Sequence, residues 1–279
     1  MSILLSATQI IHDLEWIITN QSLLNDSVLN ELKLTQLTEN QKTRISQAGV
    51  VELKSRKLGF YFETFIKTYI NVSESYNLKA FNLQVQSEKQ TIGEFDFIVE
   101  NINSGPIFEH WEVSCKFYLC SNPELGLNGC SGTLLKDVFQ RKLDRMKNHQ
   151  LVLGATEFGK VTLQNIGVGE VTPKGLLKGM VFYHPSLGGF ENSVLNQFHQ
   201  KGIWMYFSEW NKELEGQYFV LEKPFLFSLN SYSSDYSLSN AETALMLKNR
   251  DEPVIMAKVN KKYKEQARFW LIPDGWFAS

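Results

Sequence analysis

Acidic, amide and ammonium side chains recur at every second position in three short segments of the chain. These segments are Asn82–Gln86, Gly93–Ile98 and Trp111–Phe117. Alternation of polar and apolar residues with a period of two is typical of β-strands that bury one face. If the strands pair in sequence order, Asp96 and Glu112 converge on one spot, with Lys116 beside them.

Two carboxylates beside an ammonium group are suited to phosphodiester hydrolysis with Mg²⁺ or Mn²⁺. Mg²⁺ prefers oxygen ligands and is often held by one or two carboxylates plus a substrate phosphate. The metal lowers the pKa of bound water, and a nearby lysine can stabilise developing negative charge. The same alternation also describes the solvent-exposed face of an ordinary antiparallel sheet. Periodicity alone therefore leaves both interpretations open.

Several further elements are predicted around these strands. The apolar spacing predicts one or two helices over residues 3–33 and a firmer helix from Lys57 to Ile70. A second core helix is predicted from Thr133 to His149, where Arg141 and Arg145 share a face that could contact phosphates or simply face solvent. In the second half, strands are predicted at four places, with a capping box that opens a helix at Ser239. The four strands are Gly179–Tyr183, Gln217–Leu221, Phe225–Ser228 and Val254–Val259.

The composition indicates a folded chain with no overall basic charge. Of the 279 residues, 43% are hydrophobic and 13% aromatic, and 28 basic residues nearly balance 30 acidic ones. This composition excludes disorder as the main state, and any nucleic-acid surface must be a local basic patch. The chain shows no Walker loop and no complete dinucleotide fingerprint, so no nucleotide cofactor is expected.

The cysteines and apolar runs predict the compartment. Cys115, Cys120 and Cys130 are too few for a disulfide framework and lack zinc-site spacing, and Cys115 is expected to be a small buried residue. No apolar run approaches the roughly 20 residues that span a bilayer. The start of the chain lacks the positive region of a signal peptide. We therefore expect a cytoplasmic protein without a membrane segment.

Six segments carry a resemblance to a known family. They are Leu58–Glu63, Asn82–Val85, Gly93–Phe97, His110–Leu119, Leu176–Tyr183 and Arg268–Leu271. Over most of its length after about residue 55, the chain resembles the bacterial domain-of-unknown-function family numbered 1853. That family is similar to the PD-(D/E)XK nuclease superfamily.

The resemblance implies an α/β fold with a restriction-endonuclease-like core, in which a helix, a mixed four-stranded sheet and a second helix pack together. It matches Glu63 to the acid of the first core helix and Asp96 to the aspartate of the second strand. Glu112 and Lys116 match the acid and the lysine of the third strand. The implied metal ligands are Asp96, Glu112 and Glu63, with Lys116 positioning or stabilising the attacking water.

The spacing on the third strand departs from the superfamily pattern of acid-x-lysine. Glu112 stands four residues before Lys116, which is about 13 Å along a strand, whereas Ser114 stands two before it, at about 6.6 Å. In one arrangement Glu112 is the ligand and Lys116 reaches back toward it. In another, Ser114 occupies the motif and the acid comes from Asp137 on the following helix or from Glu94. In a third, the site has decayed and binds without cutting.

These interpretations predict three regions and one function. Residues 1–50 form an N-terminal helical segment, residues 51–175 the nuclease-like core, and residues 176–279 a C-terminal α+β extension packed on the core. The predicted function is Mg²⁺-dependent hydrolysis of DNA phosphodiester bonds. The alternative is an inactive module of the same fold that binds nucleic acid or a protein partner. The sequence leaves the oligomeric state undetermined.

Overall fold

The structure is a computed structural model of a mixed α/β chain. It describes residues 3–53, 55–88, 90–103, 105, 107–210, 214, 216–222, 225–229 and 237–278. The chain divides into two compact units. The first unit comprises Met1–Cys115 and Arg141–Lys178, and the second comprises Lys116–Gln140 and Gly179–Ser279.

The helices and strands of the described residues are numbered in chain order. The helices are α1 (Ala7–Thr19), α2 (Asp26–Leu29), α3 (Glu39–Ala48), α4 (Leu58–Val72), α5 (Phe139–Arg145), α6 (Glu157–Gln164) and α7 (Asn240–Lys248). The strands are β1 (Ile3–Leu5), β2 (Val51–Leu53), β3 (Tyr76–Gln86), β4 (Thr91–Asn101), β5 (Ile107–Cys120), β6 (Cys130–Ser131), β7 (Val171–Tyr183), β8 (Lys201–Tyr206), β9 (Gln217–Leu221), β10 (Leu238–Ser239), β11 (Val254–Val259) and β12 (Glu265–Ile272). Apart from the small β1–β2 pair, the described strands form a large mixed sheet.

In the first unit, the three strands that the alternating segments predict form an antiparallel meander. Strands β3, β4 and β5 follow one another in sequence and pair in that order. Each strand is longer than its alternating pattern predicted. A cluster of buried apolar side chains packs against this part of the sheet. It contains Val85, Phe95, Ile98, Leu153, Leu163 and Val168.

The N-terminal helices differ in detail from the prediction. The chain starts with a short strand, β1, which pairs with β2, and Ser6 then caps α1 by accepting a hydrogen bond from the Gln9 backbone N–H. Between residues 34 and 56, where the sequence predicted no element, lies α3, which opens with a capping box formed by Thr38 and Gln41. These helices belong to the same compact unit as β3 and β4.

The predicted helix over Thr133–His149 is wrong at its start. Helix α5 begins only at Phe139, because Leu135 adopts a left-handed backbone conformation with φ of 60° and Lys136 and Asp137 lie in the turn before the helix. The helical path then continues beyond Arg145 as a π-helical turn over Met146–Gln150. Asp137 therefore does not lie on a helix.

The second unit contains the strands of the second half of the chain. Their order is β10–β9–β11–β12–β8–β7, with β12–β8 and β8–β7 parallel. Gly179 on β7 has φ of 131°, and a Cβ atom there would lie 1.7 Å from the Lys116 carbonyl oxygen, so only glycine permits this close approach. A buried cluster packs beside these strands. It contains Met205, Trp210, Tyr218, Leu247, Val254, Met256, Phe269 and Leu271.

Of the four strands predicted in the second half, three are confirmed and one is wrong, and the predicted capping box is confirmed. The strands at Gly179–Tyr183, Gln217–Leu221 and Val254–Val259 are present, and Ser239 opens α7 with a capping box. Phe225–Ser228 is not a strand; Pro224 lies outside the described residues. The buried Arg268 guanidinium donates hydrogen bonds to the backbone carbonyls of Leu226 and Phe227. These carbonyls therefore do not accept hydrogen bonds from a neighbouring strand.

Among the helices that the structure describes, none combines the length and the apolar character needed to cross a membrane.

Candidate functional site

Glu63 is carried by a helix whose position is fixed by a buried polar network. Helix α4 buries one side of its surface, including Tyr61 and Phe65, and Glu63 lies half-buried beside this apolar face. The Tyr61 hydroxyl donates to the fully buried Asp13, which also accepts a 2.7 Å hydrogen bond from Gln9 Nε2. Because the two donors come from α1 and α4, this network ties the two helices together.

Asn82 on β3 is aligned with Asp96 by the strand register. The residues on either side of Asn82 pair with the residues on either side of Asp96 on β4, so Asn82 stands opposite Asp96. Its φ of 50° is in the left-handed region, which asparagine tolerates better than most residues. Its side chain hydrogen-bonds the Glu63 carboxyl group, whereas its buried Oδ1 has no hydrogen-bond partner among the described residues. Asn82 therefore links the helix acid to the sheet.

Asp96 stands where strands β4 and β5 stop pairing. The continuous register of the two strands ends at Phe97 opposite Trp111, one residue before Asp96 is reached. Beyond this point the Val113 backbone N–H donates to Asp96 Oδ2 at 2.9 Å. The Asp96 carboxylate thus takes the place of a backbone carbonyl as the acceptor for this N–H group. The hydrogen bond holds Asp96 next to Glu112.

Glu112 is the most buried acid of the site, with 1% of its side chain exposed. Its Oε1 atom accepts a hydrogen bond from Gln150 Nε2 and lies 3.7 Å from Lys142 Nζ. Lys142 Nζ also donates to Gln150 Oε1 at 3.1 Å. Glu112 Oε2 is buried and accepts no hydrogen bond from the residues that the structure describes. One oxygen of this carboxylate is therefore satisfied and the other is not.

Burial and the negative charges of neighbouring carboxylates raise the pKa values of Glu63, Asp96 and Glu112. Burial, followed by the charge of Asp96, raises the pKa of Glu63 to about 7. Burial also raises the pKa of Asp96, although the Val113 N–H and Lys142 act in the opposite direction. The pKa of Glu112 lies well above its ordinary value because of burial and the neighbouring Asp96. A cation placed among these groups would relieve this repulsion.

A cavity of about 300 Å³ borders the acidic group within the first unit. Its wall combines acidic residues of β4 with basic and amide residues from the end of α5 and the turn after it. The lining residues are Gly93, Glu94, Asp96, Arg145, His149, Gln150 and Leu153. Positive and negative side chains therefore face the same small space.

Lys116 and Asp137, which the sequence made candidates for the site, contact each other. Lys116 Nζ lies 2.5 Å from Asp137 Oδ2, and their side chains are 30% and 41% exposed. Both residues belong to the second unit, whereas Glu63, Asp96 and Glu112 belong to the first. The ammonium group at the Glu112 carboxylate is that of Lys142. Ser114 is buried, and Glu94 lines the cavity.

Comparison with protein families identifies the relatives of this chain. The model of the family described as "Domain of unknown function (DUF1853)" matches residues 4–272. The chain belongs to the DUF1853 family. No curated protein and no solved structure gives a significant match.

Three residues of the site in this DUF1853 member were not predicted from the sequence. Lys142 belongs to a helix with several basic residues, and nothing in the pattern distinguished it from its neighbours. Gln150 reaches Glu112 from a π-helical turn, which periodicity does not predict. Asn82 stood on the predicted polar face of its strand, and this was the only available signal.

The donor set of the DUF1853 site fits a divalent cation bound by few protein ligands. Among the described residues, no group of three or more His, Cys, Asp and Glu side chains is arranged to hold a metal ion. Mg²⁺, however, commonly keeps several waters and takes one or two carboxylates. The adjacent carboxyl groups of Asp96 and Glu112, with the unsatisfied Oε2 atom of Glu112, meet that smaller requirement.

Proposed function

We propose that this DUF1853 protein is a Mg²⁺-dependent nuclease-like enzyme that hydrolyses DNA phosphodiester bonds. The observation that carries the proposal is the pair formed by the half-buried Asp96 and the buried Glu112, with the Lys142 ammonium 3.7 Å from one Glu112 oxygen. Buried acids with raised pKa values beside a cation are typical of functional sites. An acidic pair that served only solubility would lie in solvent.

The residues divide the chemistry among them. Asp96 and Glu112 would hold the cation, which when bound lowers the pKa of a water molecule and offsets charge on the phosphate. Lys142 would stabilise negative charge on the scissile phosphate. Because the pKa of Glu63 is about 7, its carboxylate could accept a proton from the attacking water near neutral pH. Asn82 would hold Glu63 in place for this step.

The substrate assignment rests on the basic residues around the cavity. Arg145 and His149 line it and are exposed, and Lys142 lies about one helical turn before Arg145. Such residues can contact phosphate oxygens next to the scissile bond. The cavity is too small for a duplex, so we propose that a single phosphodiester and its flanking nucleotides enter it.

The order of the site elements supports a relation to the PD-(D/E)XK superfamily. A helix with Glu63 precedes strands with Asp96 and Glu112, and a helix with Lys142 follows. In this proposal the lysine comes from that following helix, whereas Lys116 pairs with Asp137. The spacing on β5 then departs from acid-x-lysine because Lys142 of the following helix, and not a lysine of β5, supplies the ammonium group.

A cleavage assay with matched variants tests the proposal. Single-stranded, duplex and branched DNA are incubated with the protein and Mg²⁺ or Mn²⁺. We expect cleavage by the wild type, and a loss of about 10²-fold or more in Asp96→Asn and Glu112→Gln. Glu100→Gln is the control, because Glu100 also lies on β4 but pairs with Lys79 at 2.9 Å near the surface. Equal cleavage by Asp96→Asn and the wild type would refute the assignment.

The second candidate is an inactive module that binds nucleic acid or a protein partner. It is favoured by the contacts that Gln150 and Lys142 already make with Glu112 Oε1, which occupy one potential metal ligand. A thermal shift assay separates the two functions. Stabilisation by millimolar Mg²⁺ that disappears in Asp96→Asn supports the enzyme. DNA binding with neither a Mg²⁺ shift nor cleavage supports the inactive module.

A further inference from the structure

Two cysteines of the second unit face each other across neighbouring strands. Cys120 ends β5 and Cys130 begins β6, and the antiparallel register pairs these two residues directly. Both are free thiols and both are fully buried. Directly opposed residues of antiparallel strands have Cα atoms about 4.5–5.5 Å apart, which lies within the range that a disulfide requires.

The two thiols also interact with each other. Their interaction lowers the pKa of Cys120 and raises that of Cys130, and the Cys130 thiol donates a hydrogen bond to the Gly126 carbonyl oxygen at 3.6 Å. The more acidic thiol is the better candidate for the attacking thiolate, and the other is then the resolving thiol. Cys115 lies five residues earlier on β5, outside the register that β5 shares with β6.

A large cavity of the second unit is lined by Tyr183, which interacts with this pair. Its volume is about 970 Å³, and Tyr183 and His199 line it. The Tyr183 hydroxyl is 2.9 Å from His199 Nε2, and Tyr183 interacts electrostatically with both thiols. Tyr183 therefore contributes to the wall of this cavity and lies within electrostatic range of both thiols.

We propose that Cys120 and Cys130 form a reversible disulfide when the protein meets a hydroperoxide. The Cys120 thiolate attacks one peroxide oxygen, the O–O bond breaks, and a sulfenic acid and hydroxide are formed, the latter taking up a proton to give water. The Cys130 sulfur then attacks the Cys120 sulfur and releases a second water. In total, two thiols and one hydrogen peroxide give one disulfide and two waters. A dithiol reductant reverses the change.

The disulfide would close the connection between β5 and β6. This segment contains the 3₁₀ turn Pro123–Gly129, and the backbone at Gly126 lies against Phe190 and Asn192, which line the large cavity. The bond would therefore restrain the loop that supports one wall of that cavity. Oxidation should stabilise the chain, because it reduces the number of conformations open to the unfolded state.

Thiol titration before and after treatment with hydrogen peroxide tests the proposal. The native protein is treated, quenched, unfolded and titrated, and an unfolded sample treated in parallel shows that the reagent is active. We expect the wild type to fall from three free thiols to one and Cys115→Ser to fall from two to none. Cys120→Ser and Cys130→Ser should each form no intramolecular disulfide between their remaining thiols. Intact mass should show the loss of two hydrogen atoms, and dithiothreitol should restore them.

Thermal unfolding provides a second readout. The oxidised wild type and the oxidised Cys115→Ser should unfold roughly 5 °C or more above their reduced forms, and dithiothreitol should abolish the difference. Retention of all three thiols in the treated native protein would overturn the proposal. So would a Cys115→Ser variant that fails to form the disulfide, because Cys115 would then be one of the partners.

Discussion

Strand β5 takes part in two acid–base pairs that differ in exposure and geometry. The Lys116–Asp137 pair is short, at 2.5 Å, and its side chains are 30% and 41% exposed. The Glu112–Lys142 pair is longer, at 3.7 Å, and its side chains are 1% and 14% exposed. An exposed ion pair contributes little to stability because water screens it. A buried carboxylate with an unsatisfied oxygen lowers stability and is available to bind a cation or a proton. Burial, rather than the shorter distance, therefore marks the candidate site.

The largest expected difference between the two pairs is in catalysis. We expect Lys142→Ala to reduce Mg²⁺-dependent DNA cleavage by about 10²–10³-fold, because Lys142 would no longer stabilise charge at the phosphate. Lys116→Ala should retain cleavage within about threefold, because its ammonium is engaged with an exposed carboxylate. The measurement is the single-turnover cleavage rate at saturating Mg²⁺. The reverse ranking would transfer the catalytic role to Lys116.

The next effect concerns stability without metal. Glu112→Gln should raise the free energy of unfolding at pH 8 by about 1–3 kcal/mol, because a neutral amide removes a buried charge from beside Asp96. Thermal unfolding in a chelator measures the change. Asp13→Asn is the matched control, because Asp13 is equally buried but satisfied by Tyr61 and Gln9, and its loss should destabilise the chain. Destabilisation by both variants would mean that Glu112 is also a structural acid.

Glu63 should make stability depend on pH between its unfolded and folded pKa values. Its pKa rises from 4.5 to about 7, so the folded state binds more protons than the unfolded state in this window. The stabilisation is fully present below pH 4.5 and is lost as the pH rises through about 7. Glu63→Gln should flatten this decline and raise Tm at pH 8 by roughly 2–4 °C, the shift given by about 1 kcal/mol.

The control for the pH experiment is the half-buried acid Glu100. Its pKa is lowered by Lys79 and Asn77, so it titrates below this window, and Glu100→Gln should leave the decline between pH 4.5 and 7 unchanged. Tm is measured across about pH 4–8 for the wild type and both variants. An unchanged slope in Glu63→Gln would show that Glu63 does not produce the pH dependence, which would then come from other buried groups such as Asp96, Glu112 and His110.

The smallest effect is expected at the exposed pair. Asp137→Asn should change the free energy of unfolding by less than about 1 kcal/mol, and added salt should reduce even that difference. Urea unfolding at low and high ionic strength measures it. If the free energy of unfolding fell by several kcal/mol, burial would not explain the difference between the two pairs.

The local elements around the site were largely predictable from the sequence. Strands β3, β4 and β5 carry a period-two pattern, and α4 carries a helical one, because each buries a continuous apolar face. The start of α5 was not predictable, because the left-handed Leu135 interrupts an otherwise helical spacing. The strand predicted at Phe225–Ser228 failed for a different reason, since the buried Arg268 binds its carbonyls from a distant position in the chain.

The acids of the site could be located from the sequence, but their cationic partner could not. Asp96 and Glu112 each stand on a strand whose alternation is visible, so their positions followed from the pattern. Lys142 and Gln150 follow Glu112 by 30 and 38 residues, on a helical segment with other basic and amide residues. Only the packing of that segment onto the sheet places Lys142, rather than Lys116, at the Glu112 carboxylate.

The sequence by itself determined that β3, β4 and β5 of this DUF1853 protein are strands, that α4 is a helix, and that these elements carry the acidic side chains of the site. These properties depend on residues close together in the chain, where hydrophobic periodicity acts. Only the tertiary structure decided that Lys142 and Gln150 contact Glu112 and that Asn82 contacts Glu63. The physical reason is that burial, and with it the raised pKa values of the acids, arises when distant segments exclude water together.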